Sequence, residues 1–522
     1  MSHVTHSEPV LDIPRDYNAA TWFIDRHVTE GRGAKAAYID VDGSHTYGQL
    51  AERVNRTGNA LKDLGLAMET RIAMIMLDTV DFPAVFWGAI KAGIVPIPLN
   101  TLLTTGDYGY MLADSRARAL VVSEALLDRV TPILKDLPFL QTVVVAGKDA
   151  HGHVLLSDLQ AKASAQLAPA PTTRDDVAFW LYSSGSTGAP KGAVHLQGDL
   201  PATAVLYGQN VLGVREDDIV FSAAKLFFAY GLGNGMTFPL HAGATTVLLH
   251  ERPTPEAVVG ILRKHQPTIF YGVPTLYGSI LADPEFHRGT ASQAMRVCTS
   301  AGEALPEDVG KRWEERFGAP ILDGLGSTEM LHIFLSNRHG DVRYGTSGVP
   351  VPGYELKILS DDGREVPKGE MGELVVKGPS SAVAYWNQRE KSMRTFRGEW
   401  THTGDKYYID PEGYFRYAGR GDDMLKVGGI WVSPFEVEAA LIANDKVLEA
   451  AVVGHADAEG LIKPKAYVVL KPGISGGELL VEEMQAFVKA KLAPYKYPRW
   501  IEFVDALPKT ATGKIQRFKL RG

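Results

Sequence analysis

The sequence predicts an α/β fold in which a large N-terminal α/β domain of several subdomains is followed by a small C-terminal α+β domain. Two observations lead to this prediction. Over the first 420 residues, short β-rich runs alternate with segments of helical periodicity, which is typical of layered α/β domains with parallel strands. Glycines then punctuate a charged turn at residues 419–423, and the chain beyond it has a compact pattern of its own. We therefore expect two domains, residues 1–421 and 422–522.

In the N-terminal region, the elements follow from the spacing of apolar residues. Apolar side chains recur at helical spacing between Leu50 and Leu64, and the continuous apolar run 72–77 predicts a buried strand. Residues 120–122 and 142–145 predict two further strands with a helical segment between them. This alternation of strands and helices is the basis for the layered domain.

The C-terminal region begins with the signature of a helix start. Ser433 and Glu436 bracket a Pro and a Phe, a pattern typical of a capping box in which Ser433 is the N-cap and Glu436 reaches back. The other elements predicted there are three strands and one helix with a single apolar face, at residues 450–453, 466–470, 501–504 and 480–488 respectively.

Composition excludes several classes of protein. The chain is 45% hydrophobic and 22% charged, which is ordinary for a soluble globular protein, and its formal charge of −7 argues against nucleic acid as the main partner. Cys298, the single cysteine, excludes an internal disulfide framework and is interpreted as a buried structural thiol. Neither a secretory signal nor an apolar run of roughly 18 residues is visible. We expect a cytoplasmic protein with no membrane partner, either a monomer or a homodimer.

Charge is unevenly distributed along the chain. Residues 489–521 contain nine Lys or Arg and two Asp or Glu, a local charge of +7. One interpretation is a solvated basic face. The other is a surface that attracts small polyanions such as nucleotides. Charge alone does not decide between the two interpretations.

The residues that point most directly to chemistry are 182–192, with the sequence Tyr-Ser-Ser-Gly-Ser-Thr-Gly-Ala-Pro-Lys-Gly, after the apolar run 177–181. Glycine lets backbone N–H groups turn toward an anion, Ser and Thr hydroxyls add donors, and Lys191 supplies a compact positive charge. We interpret this strand and loop as a phosphate cradle. It is not the P-loop of nucleoside triphosphatases, because Pro190 stands where that motif has the glycine before its lysine.

This loop resembles the phosphate-binding signature of the adenylate-forming enzymes, the family of acyl-CoA synthetases, peptide-synthetase adenylation domains and luciferases. Further blocks similar to those of the family follow in the expected order over nearly the whole chain, at residues 300–304, 326–329, 403–405, 419–420 and 512–514. Within the family, four blocks look particularly like those of benzoate–CoA ligases, at residues 225–233, 330–334, 418–426 and 508–517. The resemblance implies ATP, Mg²⁺ and CoA as cofactor or cosubstrates.

The resemblance implies catalytic roles for four residues. Lys514 would lie between the acid and the nucleotide, where a lysine stabilises the negative charge that builds on the transferring group. No general base is required, because the attacking carboxylate is already an anion. Thr328 would meet the α-phosphate, and Glu329 would bind Mg²⁺, a hard cation that prefers carboxylate oxygens. Lys426 would contact a phosphate or the substrate carboxylate in one state of a mobile C-terminal lid.

The resemblance also implies the nucleotide contacts, the hinge and the CoA contacts. Asp405 and Arg420 would bind the ribose, Asp422 would be the hinge of the lid, and Gly428 and Gly429 would let the pantetheine arm of CoA approach the backbone. The remaining ATP or AMP contacts fall in three blocks, Ser183, Ser184, Gly185, Ser186, Thr187, Gly188 and Lys191, then Gly302, Glu303 and Ala304, then Asp323, Gly324, Leu325, Gly326 and Ser327.

Two segments that shape the acyl pocket in this family offer aromatic walls and a single histidine. A flat apolar pocket with few polar groups suits an aromatic ring. Leu325 stands where many members have an aromatic residue that stacks on adenine, and Phe228 stands where many have a histidine. We therefore hypothesise that His332 or Lys514 orients the substrate carboxylate. The predicted substrate contacts are Phe228, Ala229, Tyr230, Gly326, Leu331, His332 and Ile333.

The function implied by these matches is ATP-dependent ligation of benzoate, or a close analogue, to CoA through an aryl-AMP intermediate. Three alternatives stay open. The acid could be a hydroxy- or aminobenzoate, because one small substituent changes discrimination by only about 1–3 kcal/mol in an apolar pocket. The acceptor could be a carrier protein loaded by a stand-alone adenylation enzyme. The chain could also be a nucleotide sensor that kept the fold without catalysis.

Overall fold

The computed structural model describes residues 11–185, 188–421, 423–427, 430–457, 461–509 and 515–521. In these residues the strands are, in chain order, β1 Ala36–Asp40, β2 Gly43–Thr46, β3 Arg71–Ile75, β4 Val95–Pro98, β5 Ala119–Ser123, β6 Thr142–Ala146, β7 Val154–Leu155, β8 Val177–Gly185, β9 Gly188–Leu196, β10 Ile219–Ser222, β11 Thr245–Val247, β12 Ile269–Gly272, β13 Val297–Ser300 and β14 Ile321–Gly326.

The second half of the chain continues with shorter sheets. Its strands are β15 Ile333–Ser336, β16 Val349–Pro350, β17 Glu355–Leu359, β18 Gly372–Lys377, β19 Ala384–Tyr385, β20 Phe396–Arg397, β21 Trp400–Ile409, β22 Phe415–Arg420, β23 Leu425–Val427, β24 Ile430–Val432, β25 Val447–Ala456, β26 Ile462–Leu470 and β27 Trp500–Phe503.

Helices cover the faces of these sheets. They are α1 Arg26–Thr29, α2 Tyr47–Asp63, α3 Asp81–Lys91, α4 Thr105–Ser115, α5 Leu156–Lys162, α6 Asp199–Thr203, α7 Ala229–Leu232, α8 Phe238–Ala242, α9 Pro255–His265, α10 Pro274–Ala282, α11 Glu307–Phe317, α12 Arg389–Thr395, α13 Pro434–Ile442 and α14 Glu478–Lys491. Short π-helical turns span Thr21–Asp25, Ala204–Gln209 and Gly233–Thr237, and 3-10 turns span Glu124–Arg129, Thr131–Asp136, Arg288–Thr290, Pro494–Lys496 and Arg517–Lys519.

Two largely parallel sheets form the centre of the N-terminal region. The smaller has the order β4-β3-β5-β6-β7, and every neighbouring pair in it is parallel. The larger has the order β16-β15-β14-β13-β12-β10-β11-β1-β2, parallel from β1 to β14 and antiparallel at both edges. Buried apolar side chains from both sheets and from α2 and α3 join in one core. The predicted layered α/β architecture is confirmed.

Two antiparallel sheets complete the N-terminal region. β8 and β9 form a long hairpin that β19 extends at the β9 edge. β17, β18, β21 and β20 form a second sheet, and β22 pairs with β21. In that sheet, Asp405 lies opposite Arg420.

The C-terminal region has its own apolar core. β25, β26 and β27 form a mixed sheet, and the buried faces of α13 and α14 pack with it around Val452, Val468 and Met484. The predicted α+β composition is therefore confirmed. The division into domains at Asp422 stays a prediction, because Asp422 lies outside the described residues.

Two local expectations are corrected by the structure. The helical segment expected between β5 and β6 consists of two short 3-10 turns, Glu124–Arg129 and Thr131–Asp136. Ser433 does cap α13, since its side chain accepts from the backbone N–H of Glu436. The carboxylate of Glu436 is instead bound by Lys496, with N–O distances of 2.6 and 2.7 Å. A cation within reach attracts that carboxylate more strongly than a neutral N–H group does.

Ion pairs with acidic residues outside the segment neutralise much of the basic C-terminal charge. Three of its cations bind glutamates, in the pairs Lys496–Glu436, Lys509–Glu449 and Arg517–Glu438, at 2.6, 2.5 and 2.6 Å. The segment is therefore neither a uniformly solvated basic face nor a continuous surface for polyanions.

Among the helices of the described ranges, none combines the length and apolar character needed to cross a bilayer.

Candidate active site

The predicted phosphate loop is the end of the β8–β9 hairpin. The two strands are antiparallel, with Tyr182 opposite Gly192 and Ser183 opposite Lys191. β8 therefore continues four residues beyond its apolar run, as far as Gly185. The residues at the tip, Ser186 and Thr187, lie outside the described part of the chain.

The carboxylate of Glu329 is the meeting point of three side chains. Its Oε1 accepts from the hydroxyl of Tyr385 at 2.7 Å and from that of Ser183 at 3.3 Å. Nζ of Lys191 lies 4.0 Å from the same oxygen, 3.2 Å from the Tyr385 hydroxyl and 4.3 Å from the Tyr385 ring centroid. The structure therefore brings together three residues predicted from sequence and adds Tyr385.

Electrostatics keep this carboxylate ionised. Burial disfavours the charged form, but Lys191 and the hydroxyls of Tyr385 and Ser183 outweigh it and hold the pKa of Glu329 below its ordinary value. Burial lowers the pKa of Lys191, although Glu329 opposes this shift. Lys191 is half-buried, so its charge is less screened by water than that of an exposed lysine and attracts a phosphate group more strongly.

Thr328 and Glu329 belong to a tight turn between β14 and β15. The carbonyl oxygen of Thr328 accepts from the backbone N–H of Leu331 at 3.2 Å and from Nε2 of His195 at 2.8 Å. Leu331 has a φ of +65°, in the left-handed region that side-chain-bearing residues rarely adopt. Thr328 and Glu329 therefore lie in a turn and not at the start of a helix, so Thr328 is not a helix cap.

Two of the predicted blocks of nucleotide contacts lie at the ends of neighbouring strands, an edge that we call the nucleotide edge. Gly302, Glu303 and Ala304 follow β13, and residues 323–326 are the last four of β14, its parallel neighbour. Burial raises the pKa of Asp323 to about 8, against hydrogen bonding from the backbone N–H of Leu305. A carboxyl group at this position is therefore largely neutral near pH 7.

Glu303 links this edge to the C-terminal region. Its Oε1 accepts from the backbone N–H of Ile515 at 2.9 Å. Ile515 also forms a β-bridge with Lys509, and the N–H of Gln516 donates to the carbonyl of Pro508 at 2.8 Å. Lys509 and Ile515, which flank residues 510–514, are therefore paired with each other, and Ile515 contacts Glu303, one of the predicted nucleotide contacts.

The predicted ribose residues are paired across β21 and β22. Nη1 of Arg420 lies 3.4 Å from Oδ1 of Asp405, and the N–H of Asp405 donates to the Thr403 hydroxyl at 3.1 Å. The Asp405 side chain is 13% exposed and that of Arg420 is 46% exposed. A nearly buried carboxylate with an accessible guanidinium beside it suits a ligand rich in hydroxyl groups.

The predicted acyl-pocket residues come from α7 and the start of β15. Phe228 stands at the N-cap position of α7 without a side-chain capping bond, and its ring lies 4.4 Å from that of Phe227. The hydroxyl of Tyr230 lies 2.6 Å from Oγ1 of Thr299, and the ring of Tyr230 lies 5.6 Å from that of His332. Phe228, Ala229 and Tyr230 are half-buried, whereas Leu331 and Ile333 are 1% exposed and belong to the core.

The geometry of His332 argues against our hypothesis that it orients the substrate carboxylate. Nε2 faces the carbonyl oxygen of Tyr230 at 3.3 Å and Oδ1 of Asn234 at 3.1 Å, so this nitrogen must be the donor. Burial lowers the pKa of His332 to about 3, which leaves the ring neutral and Nδ1 without a hydrogen. A carboxylate needs a donor, so Lys514 remains of the two residues in the hypothesis, and its role stays a prediction because it lies outside the described residues.

Matches to family models decide the classification. Residues 24–386 match the model of the AMP-binding enzyme, and residues 436–514 match that of the AMP-binding enzyme C-terminal domain. This chain belongs to the AMP-binding enzyme family. The adenylate-forming resemblance is thereby confirmed.

Among curated members of the AMP-binding family, the chain is 62% identical over 519 residues to a benzoate–CoA ligase of Thauera aromatica, covering 99% of this chain and 98% of the relative. It is 52% identical to a 4-hydroxybenzoate–CoA/benzoate–CoA ligase of Rhodopseudomonas palustris, covering 97% and 94%.

Solved structures of the family have the same fold. The crystal structure of a benzoate CoA ligase from Burkholderia xenovorans LB400 superposes with a TM-score of 0.91 at 54% identity, covering 97% of this chain and 100% of that one. The anthranilate CoA ligase AuaEII, solved with anthranoyl-AMP, gives a TM-score of 0.94 at 44% identity, covering 98% and 97%.

Several predicted residues of this AMP-binding enzyme lie outside the described chain. These are Ser186, Thr187, Asp422, Gly428, Gly429 and Lys514. For Ser184, Gly185, Gly188 and Lys426, the structure describes the backbone as strand and leaves the side-chain surroundings outside the description. Their assignments stay predictions.

Sequence reasoning missed Tyr385 and His195, which contact the Thr328–Glu329 turn. Tyr385 is 56 residues from Glu329, and no local pattern connects the two. His195 carried a signal, because it lies four residues after Lys191 and therefore on the same face of a strand.

Cys298 is fully buried as expected, and burial raises its pKa to about 12. Within the described ranges, no three His, Cys, Asp or Glu side chains are grouped as a metal cage.

Proposed function

We propose that the enzyme ligates benzoate to CoA in an ATP-dependent, AMP-forming reaction. The observation that carries the proposal is the 62% identity to a benzoate–CoA ligase over 99% of this chain. The half-buried aromatic residues Phe228 and Tyr230 support it, because they offer flat apolar surface to a ring. Benzoate and ATP would give benzoyl-AMP and diphosphate, and CoA would then give benzoyl-CoA and AMP.

In adenylation, the chain would mainly position two anions and stabilise charge. The benzoate carboxylate attacks the α-phosphate of ATP, so the protein has no proton to remove. Lys191 and Ser183 on the hairpin would bind phosphate oxygens, and Asp405 with Arg420 would hold the ribose. Lys514 would stabilise charge on the transferring group more strongly than in the ground state. Support for Lys514 comes from the contact of Ile515 with Glu303.

The Glu329 environment fits Mg²⁺. All the contacts that the described residues make to its carboxylate go through Oε1, and the group is ionised because its pKa is held low. Mg²⁺ is usually bound by one or two carboxylates together with substrate phosphates. Glu329 would hold the ion there, and the ion would neutralise triphosphate charge.

We assign the second half-reaction to the lid, residues 422–522, turning about Asp422. Lys426 would then contact the substrate carboxylate or a phosphate, and Gly428 and Gly429 would flank the pantetheine arm. Support is limited to sequence resemblance and to the separate apolar core of this region.

The deciding experiment measures AMP release for a panel of carboxylic acids with ATP, Mg²⁺ and CoA. We expect the highest kcat/KM with benzoate and a lower value with cyclohexanecarboxylate or acetate, which lack the flat ring. Product mass identifies benzoyl-CoA. Absence of AMP with every acid would overturn the proposal and favour a nucleotide sensor.

Two alternatives share this assay. A hydroxy- or aminobenzoate preference is favoured by relatives named for 4-hydroxybenzoate and anthranilate, and these acids belong in the panel. A reaction that yields the acyl-AMP without CoA, as a carrier-loading enzyme would need, is consistent with a relative named p-hydroxybenzoic acid–AMP ligase FadD22, of Mycobacterium tuberculosis, 32% identical over 91% of this chain and 65% of that protein. Benzoyl-AMP that accumulates although CoA is present would support a carrier as acceptor.

A further inference from the structure

Strand β9 contacts the Thr328–Glu329 dipeptide at two points. Side chains alternate between the faces of a strand, so Lys191 and His195 lie on one face of β9. Nζ of Lys191 lies 4.0 Å from Oε1 of Glu329, and Nε2 of His195 lies 2.8 Å from the carbonyl oxygen of Thr328. One strand of the phosphate hairpin thus holds both the Glu329 side chain and the main chain just before it.

The hydrogen bond to Thr328 shows which nitrogen of the His195 ring is the donor. The residue is fully buried, and its ring stacks on Phe179 with centroids 5.3 Å apart. A carbonyl oxygen only accepts, so Nε2 must carry a hydrogen that it donates to Thr328. Nδ1 lies 2.9 Å from Oδ2 of Asp199, which also accepts from the N–H of Leu196 at 3.0 Å.

One proton must therefore lie between Nδ1 of His195 and the carboxylate of Asp199. It resides either on the imidazole or on the acid, and in both cases the pair has no net charge. Asp199 is 3% exposed, and a neutral, fully hydrogen-bonded pair is the form that such burial tolerates. Asp199 thereby fixes the ring so that Nε2 points at Thr328.

The turn that receives this hydrogen bond requires support. Leu331 has a φ of +65°, a backbone conformation that is unfavourable for a residue with a side chain and persists only where the surroundings enforce it. Without His195, the carbonyl of Thr328 would keep the longer 3.2 Å bond from Leu331. The N–H of Ala382 would still hold the carbonyl of Glu329 at 2.7 Å, so we expect a shift of the Thr328 main chain and its side chain within a turn that stays folded.

We propose that His195, oriented by Asp199, is a positioning residue for ATP binding: it holds the Thr328 carbonyl so that Thr328 and Glu329 face the phosphate hairpin. The inference rests on the proposed function only in taking ATP as the ligand. It assigns His195 no contact with the substrate and no proton transfer.

Two amide substitutions test the hydrogen bonds of Nδ1 and Nε2 of His195 separately. In His195→Asn, the amide takes the place of Nδ1 and keeps the bond to Asp199 but cannot reach Thr328. In His195→Gln, the longer amide takes the place of Nε2 and can still donate to Thr328. We expect the Asn variant to bind ATP about 30-fold more weakly, and the Gln variant to stay within about 3-fold of the wild type. KM for benzoate should change less than about 3-fold in both.

His27 provides a matched control. It is also a fully buried histidine, and its Nε2 lies 2.6 Å from a backbone carbonyl oxygen, that of Leu240, far along the chain from the turn. We expect His27→Asn to lower the thermal midpoint as much as His195→Asn does, with unchanged ATP affinity. If the Asn variant at 195 does not fold, the double variant His195→Phe, Asp199→Asn, which keeps the stacking on Phe179 and leaves no buried carboxylate unpaired, answers the same question.

The measurement is the affinity of the full chain for Mg²⁺–ATP by calorimetry without any acid. Equal ATP affinity in the Asn and Gln variants at 195 would overturn the proposal, as would an equal loss in His27→Asn. Because this readout needs no acid, it is independent of the acid panel. Lack of benzoyl-CoA formation by the wild type would remove the proposed function and leave the role of His195 standing or falling on its own.

Discussion

At the scale of single residues, Lys191 joins the phosphate hairpin to Glu329. Its ammonium group lies 4.0 Å from the Glu329 carboxylate and 4.3 Å from the ring centroid of Tyr385. The lysine and the glutamate could be identified from their motifs. Tyr385 could not, because a tyrosine far along the chain carries no signal until folding places it there. The residue that organises the pair is thus the one that sequence reasoning missed.

We predict that Tyr385→Phe lowers kcat/KM for ATP by about 10-fold or more, since a hydrogen bond to a charged group contributes about 1.5–3 kcal/mol. The ring under Lys191 is kept, and the hydroxyl that donates to Glu329 and accepts from Lys191 is lost. Steady-state kinetics at saturating benzoate measure the effect. Tyr344→Phe is the control. The hydroxyl of Tyr344 likewise donates to a carboxylate, that of Glu314, at 2.8 Å, and neither residue is among the predicted site residues. Equal kinetics in both variants would contradict the role of Tyr385.

Lys514 is the residue on which adenylation is expected to depend most. We predict that Lys514→Ala lowers benzoyl-AMP formation by at least about 100-fold, the scale of losing one preorganised electrostatic donor. ATP–pyrophosphate exchange measures this step directly. Lys509→Ala is the control in the same segment, because Lys509 is bound to Glu449 at 2.5 Å. Unchanged exchange in Lys514→Ala would refute the assignment.

At the scale of elements, the end of β14 pairs with the start of β15, and these strand ends carry predicted nucleotide contacts and predicted acyl contacts. Gly326 pairs with Ile333 at an irregularity in the register. A Cβ at Gly326 would lie 2.7 Å from the carbonyl oxygen of His332 and 2.9 Å from the N atom of Ile333. Both are backbone atoms, so the strands themselves would have to move apart.

We therefore predict that Gly326→Ala costs about 1–3 kcal/mol of stability, as overpacking of a tight contact does. Catalysis should fall as well, since the displaced strand carries the turn with Thr328. Thermal unfolding and kcat/KM for benzoate are the measurements. Gly260→Ala is the matched control, because a Cβ there meets nothing within 4 Å and alanine suits a helix better than glycine. A stable, active Gly326→Ala would show that the strands tolerate the methyl group.

Element prediction succeeded where a single local pattern decides the outcome. The strands at β3, β5 and β6 follow from continuous apolar runs, and the Ser433 cap of α13 follows from its side-chain chemistry. The other half of the expected capping box failed because Lys496, 60 residues away, binds Glu436. Local rules cannot include a partner that only the fold brings close.

At the scale of the whole molecule, burial of neutral histidines couples stability to pH. Burial, reinforced by the charge of Arg26, lowers the pKa of His27 to about 3. The unfolded chain then binds a proton that the folded chain excludes, so stability is complete above about pH 6.5 and is lost as the pH falls toward the folded pKa.

We predict that this loss is smaller in His27→Asn. Between about pH 7 and pH 5, the wild type should lose about 2 kcal/mol more unfolding free energy than the variant, because one titrating group has been removed. Urea unfolding at both pH values measures the difference. The sign is critical: a larger loss in the variant, or equal losses, would contradict a neutral buried His27.

The architecture, the family and the chemistry of the recognisable motifs could be predicted from local sequence patterns. Apolar periodicity encodes strands and helices locally, and the phosphate loop, Glu329, Asp405 and Arg420 stand in motifs that short spacing preserves. The tertiary structure decided which groups share a proton, a hydrogen bond or a counter-charge. It paired Tyr385 with Glu329, placed His195 on Thr328, removed His332 as a donor to the carboxylate and neutralised much of the basic C-terminal charge. These contacts join residues far apart in the chain, and hydrogen bonding and desolvation act over a few ångströms in space, whatever the separation in sequence.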